Sequence, residues 1–131
     1  MADSPAKPMW RTVAGVIAGN FAWTLLWLGL NVGLRSQGLL PGDPTEPVEQ
    51  TTPLLIMLLA SVVFSVAAGW IATAIAPQAG YVPAILLAVI QLGLGIFFQS
   101  QAWQLMPLWY HLPFLLLIVP ATLLGARLRL R

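Results

Sequence analysis

The sequence predicts an all-α membrane protein, a polytopic bundle of four transmembrane helices in a single domain that covers residues 1–131. Hydrophobic residues make up 59% of the chain and charged residues only 8%, whereas about 25% of an ordinary soluble domain is charged. A soluble protein of this size needs a charged surface, because its surface is large relative to its core. Six Lys/Arg and four Asp/Glu residues cannot supply that surface, so most of it must face lipid.

Long apolar runs place the four spans. The first charge-free run would extend about 34 Å as a helix, enough to cross a hydrocarbon core of about 30 Å. Two breaks, PQAG at 77–80 and QSQAWQLMP at 99–107, divide the later apolar region. The second break is also compatible with a re-entrant element, which would leave three full crossings. The predicted helices are residues 12–34, 53–76, 81–100 and 107–126.

Two segments lie outside the predicted spans. Residues 1–9 are polar and contain prolines, which predicts a short disordered tail. Residues 36–53 contain four prolines and three of the four acidic residues, and proline breaks helices because it lacks a backbone N–H. This segment is predicted to be an outer loop, either a surface that recognises another protein or a solvated linker.

Basic residues near the span ends orient the helices, since cytoplasmic loops are enriched in Lys and Arg. Four crossings put both chain ends on one side, and these ends carry every cation except Arg35. We therefore expect both termini in the cytoplasm. The cations predicted to anchor this side to the lipid are Lys7, Arg11, Arg127, Arg129 and Arg131. They form no basic stripe of the kind that binds nucleic acid, so no nucleic-acid partner is expected.

Tryptophan and tyrosine, which concentrate at membrane interfaces, support this orientation. The residues at the cytoplasmic level are Trp10, Trp70 and Tyr81, and those at the outer level are Trp103, Trp109 and Tyr110. Trp23 and Trp27 lie too deep for either interface. We expect these two side chains to pack in or on the bundle.

Three polar residues, Asn20, Ser65 and Gln91, are predicted to lie at mid-membrane depth, about 14–16 Å from the cytoplasmic boundary. A polar group that faces hydrocarbon without a partner costs several kcal/mol. These side chains should therefore point toward one another inside the bundle. They form either a structural polar clamp or the lining of a path for a solute or an ion. None of them titrates, which argues against proton coupling.

Each span also carries small residues, which mark contact faces because helix association in lipid depends on close packing. The first span contains Gly15-x-x-x-Gly19, and the second has small residues every four positions from Ser61 to Thr73. We expect these seams to pack the helices of one bundle. A dimer through the Gly15/Gly19 face is the alternative.

His111 is the only histidine, and it is predicted to lie near the outer interface beside Trp109 and Tyr110. A single histidine without a second ligand or an acidic partner is a poor catalytic or metal site. An interfacial hydrogen-bonding anchor is therefore the favoured interpretation, and a functional site is the alternative. The chain also has no cysteine, which excludes disulfides and thiolate metal sites. We expect no enzymatic activity, metal or other cofactor.

Three segments, together with the glycine- and alanine-rich first span, resemble an uncharacterised family of small bacterial four-helix inner-membrane proteins. The segments are GWIATAIAP at 69–77, PLW at 107–109 and PATLLGARL at 120–128. The resemblance implies a location in the bacterial inner membrane and no activity. Small multidrug resistance transporters, by contrast, depend on a glutamate in the first helix, and Asn20 cannot release a proton.

Two functions remain open from the sequence. The favoured one is a non-catalytic accessory or structural membrane subunit, whose partners are the lipid bilayer and another membrane protein. The alternative is a small transporter or channel for an uncharged or hydrophobic solute, formed by a homodimer. This transporter would use Asn20, Ser65 and Gln91.

Overall fold

The chain folds as a bundle of four long helices. A computed structural model describes residues 9–43, 46–48 and 50–131. The helices are α1 (Met9–Ser36), α2 (Thr51–Ile75), α3 (Val82–Gln101) and α4 (Leu108–Leu130). Each is long and apolar enough to cross a membrane, and the described residues contain no strand. The predicted fold class, an all-α transmembrane bundle, is confirmed, and the protein is a small multi-pass membrane protein.

The first and last helices of the chain extend beyond their predicted limits. Helix α1 begins at Met9, which the sequence assigned to the tail, and α4 continues past residue 126 to Leu130. Both extensions carry arginines. A helix can continue into the headgroup region when its charged side chains reach water. Residues 1–8, with Lys7 and most of the predicted tail, lie outside the described residues, as do 44–45 and 49.

Short turns connect α2 to α3 and α3 to α4. A single 3₁₀ turn, Pro77–Ala79, follows α2, and Gly80 adopts a positive φ of 61° that reverses the chain. A second 3₁₀ turn, Trp103–Leu105, joins α3 to α4. Both predicted breaks are therefore turns between complete helices, and the re-entrant alternative at the second break is wrong.

A glycine ends α1 and turns the chain back over the bundle. Gly38 has a φ of 77°, and its N–H donates to the carbonyl of Arg35 at 3.0 Å, while the Leu39 N–H donates to the carbonyl of Leu34 at 2.9 Å. This pair of bonds is the Schellman motif, which needs a left-handed residue that glycine adopts without steric cost. The following segment is thereby aimed across the outer end of the helices.

That segment is attached to the bundle by two buried side chains. We call residues 37–43, 46–48 and 50 the outer cap. Its Leu40 and Val48 are only 4% and 8% exposed, and both belong to the apolar cluster around Leu54 and Tyr110. The Val48 N–H also donates to the carbonyl of Leu105 at 2.7 Å. Two apolar side chains thus anchor the described part of the loop to the bundle, while most of its other described residues are exposed.

Glycines bring α1 and α4 against opposite sides of α2. A methyl group on Gly15 would lie 2.5 Å from the carbonyl oxygen of Ala72, and one on Gly19 would lie 2.9 Å from that of Ala68. The Gly15/Gly19 face is thus filled by α2 of the same chain, and its use as a dimer surface is wrong. Helix α3 completes the bundle beside α4 and contacts α1 less extensively than α2 does.

The arrangement brings the basic residues of both chain ends to one face of the bundle. The Arg129 guanidinium lies 5.7 Å from the centroid of the Trp70 ring, so the end of α4 sits beside the end of α2. Gly15 lies near the same end of α2 through its contact with Ala72. Arg11, one turn earlier in α1, is therefore on the same face.

This shared basic face leads to a topology prediction. A reporter that works only in the cytoplasm should be active when fused after Arg131, and a reporter that works only outside should be active when inserted after Gly42, because Lys and Arg are retained on the cytoplasmic side. Paired alkaline phosphatase and fluorescent-protein fusions measure this directly. Fluorescence from the Gly42 fusion would overturn the orientation.

Candidate functional site

The mid-membrane amides of Asn20 and Gln91 lie together. The Gln91 Nε2 donates to the Asn20 Oδ1 at 2.5 Å, which ties α3 to α1. Gln91 is 5% exposed, and its position ten residues into α3 agrees with the depth counted from the sequence. Ser65 does not join this pair. Its hydroxyl instead accepts a hydrogen bond from the Trp23 Nε1 at 3.1 Å, which ties α2 to α1.

These contacts connect helices and leave the polar side chains paired with one another. Hydrogen bonds between transmembrane helices average about 0.6 kcal/mol, so each tie fixes the register of neighbouring helices more than it stabilises the fold. An uninterrupted polar path would need these groups to face a channel. The observed pairing favours the structural clamp over the path. The sequence did not identify Trp23 as a hydrogen-bond partner. Its position far from both membrane interfaces could have indicated that its indole N–H needs a partner inside the bundle.

His111 forms a second tie at the outer end of the bundle. Its side chain is fully buried, its Nε2 lies 3.0 Å from the carbonyl oxygen of Trp103, and its Nδ1 contacts the Oε1 of Gln99. The imidazole also stacks on the Trp103 indole, with the centroids 4.3 Å apart. His111 thus joins α3, α4 and the turn between them. It is a hydrogen-bonding anchor, but it lies inside the bundle and not at its surface.

The neighbours of His111 point in different directions. Trp109 is 42% exposed, as expected for an interfacial residue, whereas Tyr110 is fully buried. Successive residues of a helix point about 100° apart, so two adjacent rings can have different surroundings. The assignment of Tyr110 to the outer belt is wrong, since its ring packs against Phe114 and the core. Its hydroxyl is buried without a partner among the described residues.

A cavity opens between α1, α3 and α4, and we call it the lateral recess. It encloses about 310 Å³. Its main walls are Trp23, Trp27, Gln91, Phe98, Gln99 and Phe114. Gln99 was not singled out from the sequence, although it follows Gln91 by eight residues and so shares the same side of α3. The recess therefore gathers both glutamines that tie the bundle together.

The basic end of the bundle carries the predicted lipid anchors. Arg127 and Arg131 are exposed, Arg11 is half-buried, and Arg129 lies over Trp70. Cations near an anionic bilayer surface contribute about 1 kcal/mol each. These four arginines are thus placed to bind lipid headgroups, and Lys7 lies outside the described residues.

Among the described residues, no three His, Asp or Glu side chains lie close enough to hold a metal ion. No family model matches the sequence. No curated protein and no solved structure shows a significant similarity to it.

Proposed function

We propose that this membrane protein is a non-catalytic accessory subunit of the bacterial inner membrane, which recognises another membrane protein through its outer end. The observation that carries the proposal is the folded outer cap. Leu40 and Val48 are buried in the bundle, and the backbone of Val48 is bonded to Leu105. A segment fixed in this way before binding loses little conformational freedom when a partner docks, which favours recognition.

The chemistry of this outer surface indicates the kind of partner it fits. Trp103 and Trp109 are 41% and 42% exposed beside the cap, and exposed tryptophans are frequent anchors at protein interfaces. The cap also presents the exposed Glu46, and the whole segment 36–53 holds three acidic residues next to the single Arg35. We therefore propose a partner whose outer surface is basic and carries pockets for aromatic side chains.

The contacts within the membrane support the same role. The amide pair and the Trp23–Ser65 bond are engaged between helices of one chain, so they stabilise a scaffold for the outer surface. The resemblance to small inner-membrane proteins supports the proposed location.

Purification of the tagged chain from native membrane tests this proposal. The wild-type chain should recover a stoichiometric membrane partner, and the double variant Glu46→Lys/Trp109→Ala should lose it, because it reverses a charge and removes an anchor from exposed positions. Leu116→Ala is the matched control, since Leu116 is 72% exposed on the lipid-facing side of α4. It should keep the partner.

Two results would overturn the proposed recognition. The wild-type chain could purify alone at every protein concentration, or the double variant could retain the partner at the wild-type ratio. An unchanged thermal midpoint of the double variant in detergent would establish that any loss of partner arises at the surface and not from unfolding.

A further inference from the structure

The inner wall of the lateral recess is aromatic. The rings of Trp23 and Trp27 stack with their centroids 5.2 Å apart, and the Phe114 ring meets Trp27 edge-on at 5.3 Å. Mutual packing holds these three rings in place, and aromatic surfaces attract a further ring in stacked or edge-to-face geometry. The recess thus offers a preformed surface for a planar ring.

The recess also contains unpaired polar atoms. Gln91 and Gln99 are 5% and 8% exposed, and each uses one amide atom for the tie to Asn20 or to His111. The remaining atoms of the two amides make no hydrogen bond to a described residue, and neither is a fully buried unpaired atom, so both reach the recess. An amide group that faces an apolar space without a partner is costly. A ligand that forms a hydrogen bond to one of these atoms would remove that cost.

The opening of the recess faces the bilayer. Leu28 and Phe98 at its rim are 56% and 61% exposed. They belong to α1 and α3, which contact each other less extensively than α1 and α2 do. A ligand would therefore enter sideways from the lipid. No charged residue lines the recess, so a charged ligand would be desolvated there without an opposite charge.

We propose that the lateral recess binds an uncharged, lipid-soluble phenol, that is, an aromatic ring with a hydroxyl group and an apolar substituent. The hydroxyl donates to Oε1 of Gln91, and the ring packs on Trp23 and Trp27. A lipid acyl chain fills the space but leaves both amide atoms unpaired. A volume of about 310 Å³ lies at the lower end of the range for ligand pockets, about 300–1,000 Å³. This binding is independent of the outer cap and of any protein partner.

Equilibrium dialysis of the full chain in lipid nanodiscs tests the proposal with two probes, 4-hexylphenol and hexylbenzene. The two differ in the hydroxyl group, and empty nanodiscs measure simple partitioning of each. We expect saturable binding of 4-hexylphenol above the empty-disc level, with about one site per chain. Hexylbenzene should bind at least about tenfold more weakly, since one hydrogen bond to a buried amide is worth about that factor.

Variants of the recess separate its contacts. Gln91→Leu should weaken 4-hexylphenol about tenfold and leave hexylbenzene unchanged, because it removes the acceptor and keeps the apolar wall. Leu94→Trp should abolish binding of both probes, because Leu94 lines the recess and an indole would fill it. Leu116→Ala, on the lipid-facing side of α4, is the control and should bind like the wild type. Thermal unfolding in detergent checks that each variant is folded.

Several results would overturn the phenol site. These are equal affinities for the two probes, an absence of saturable binding, or an unchanged 4-hexylphenol affinity in folded Gln91→Leu. Displacement of the probe by self-association of the chain would also overturn it, since a second copy would then be the occupant. Loss of the protein partner in the Glu46→Lys/Trp109→Ala variant has no bearing on these outcomes, so the two proposals fail separately.

Discussion

Gly69→Ala and Gly125→Ala are each expected to prevent stable packing of α2 against α4. A methyl group on Gly69 would overlap the carbonyl oxygen of Thr122, and one on Gly125 would overlap that of Val66. Both obstacles are backbone atoms, so no side-chain rotation relieves the clash and the helices must separate. We expect a loss at or above the upper end of the ~1–3 kcal/mol that overpacking costs.

The measurement is the thermal midpoint in a single detergent, followed by circular dichroism. Gly93→Ala is the matched control, because a methyl group at Gly93 in α3 meets nothing within 4 Å. Alanine is a better helix former than glycine by about 0.5–1 kcal/mol, so this control should be neutral or slightly stabilised. Equal midpoints for Gly69→Ala and Gly93→Ala would contradict the close approach of α2 and α4.

His111→Ala should produce the second large effect, a loss of about 2–4 kcal/mol. The substitution leaves the Gln99 amide and the Trp103 carbonyl without their partner, and it removes a ring that packs against Trp103. Because α3, α4 and the outer turn meet at this ring, we expect unfolding to begin at the outer end. Hydrogen exchange of the Trp103–Leu105 turn should then rise ahead of exchange at the glycine contacts.

A double-mutant cycle isolates the His111–Gln99 contact. If the two side chains are partners, the losses in His111→Ala and Gln99→Leu should not add, because the second substitution removes a group already left unpaired. Leu112→Ala is the control, since Leu112 is the next residue and is 46% exposed. Additive losses would mean that His111 and Gln99 do not interact, and that His111 does not link α3 to α4.

The contrast between Asn20–Gln91 and His111–Gln99 indicates where sequence-based inference succeeds in such a protein. The depth of Asn20 and of Gln91 could be counted from the span ends, because an α-helix rises a fixed 1.5 Å per residue. Two amides at one depth in a thin bundle then meet. His111 and Gln99 flank a turn whose path could not be counted in this way, so their contact was not predicted.

The outer cap illustrates a different limit. Four prolines predicted a non-helical segment at 36–53, and the described residues between 37 and 50 are non-helical, whereas Ser36 and residues 51–53 belong to helices. The burial of Leu40 and Val48 depends on where Gly38 aims the chain and on the cluster around Tyr110 that receives them. Neither is visible in local composition, since a proline-rich segment with scattered apolar residues is compatible with solvent or with a packed surface.

By itself, the sequence indicated that this protein lies in a lipid bilayer, how many helices it has and the approximate depth of its polar residues. These properties follow from composition and from the helical rise. Tertiary structure alone decided which large side chains face inward, such as Tyr110, and which helix meets each small-residue seam, such as Gly15 against Ala72. In a soluble protein the apolar stripe of a helix marks the inner face. Here large apolar side chains occur on both the lipid-facing and the inward-facing sides, so only the fit between helices distinguishes them.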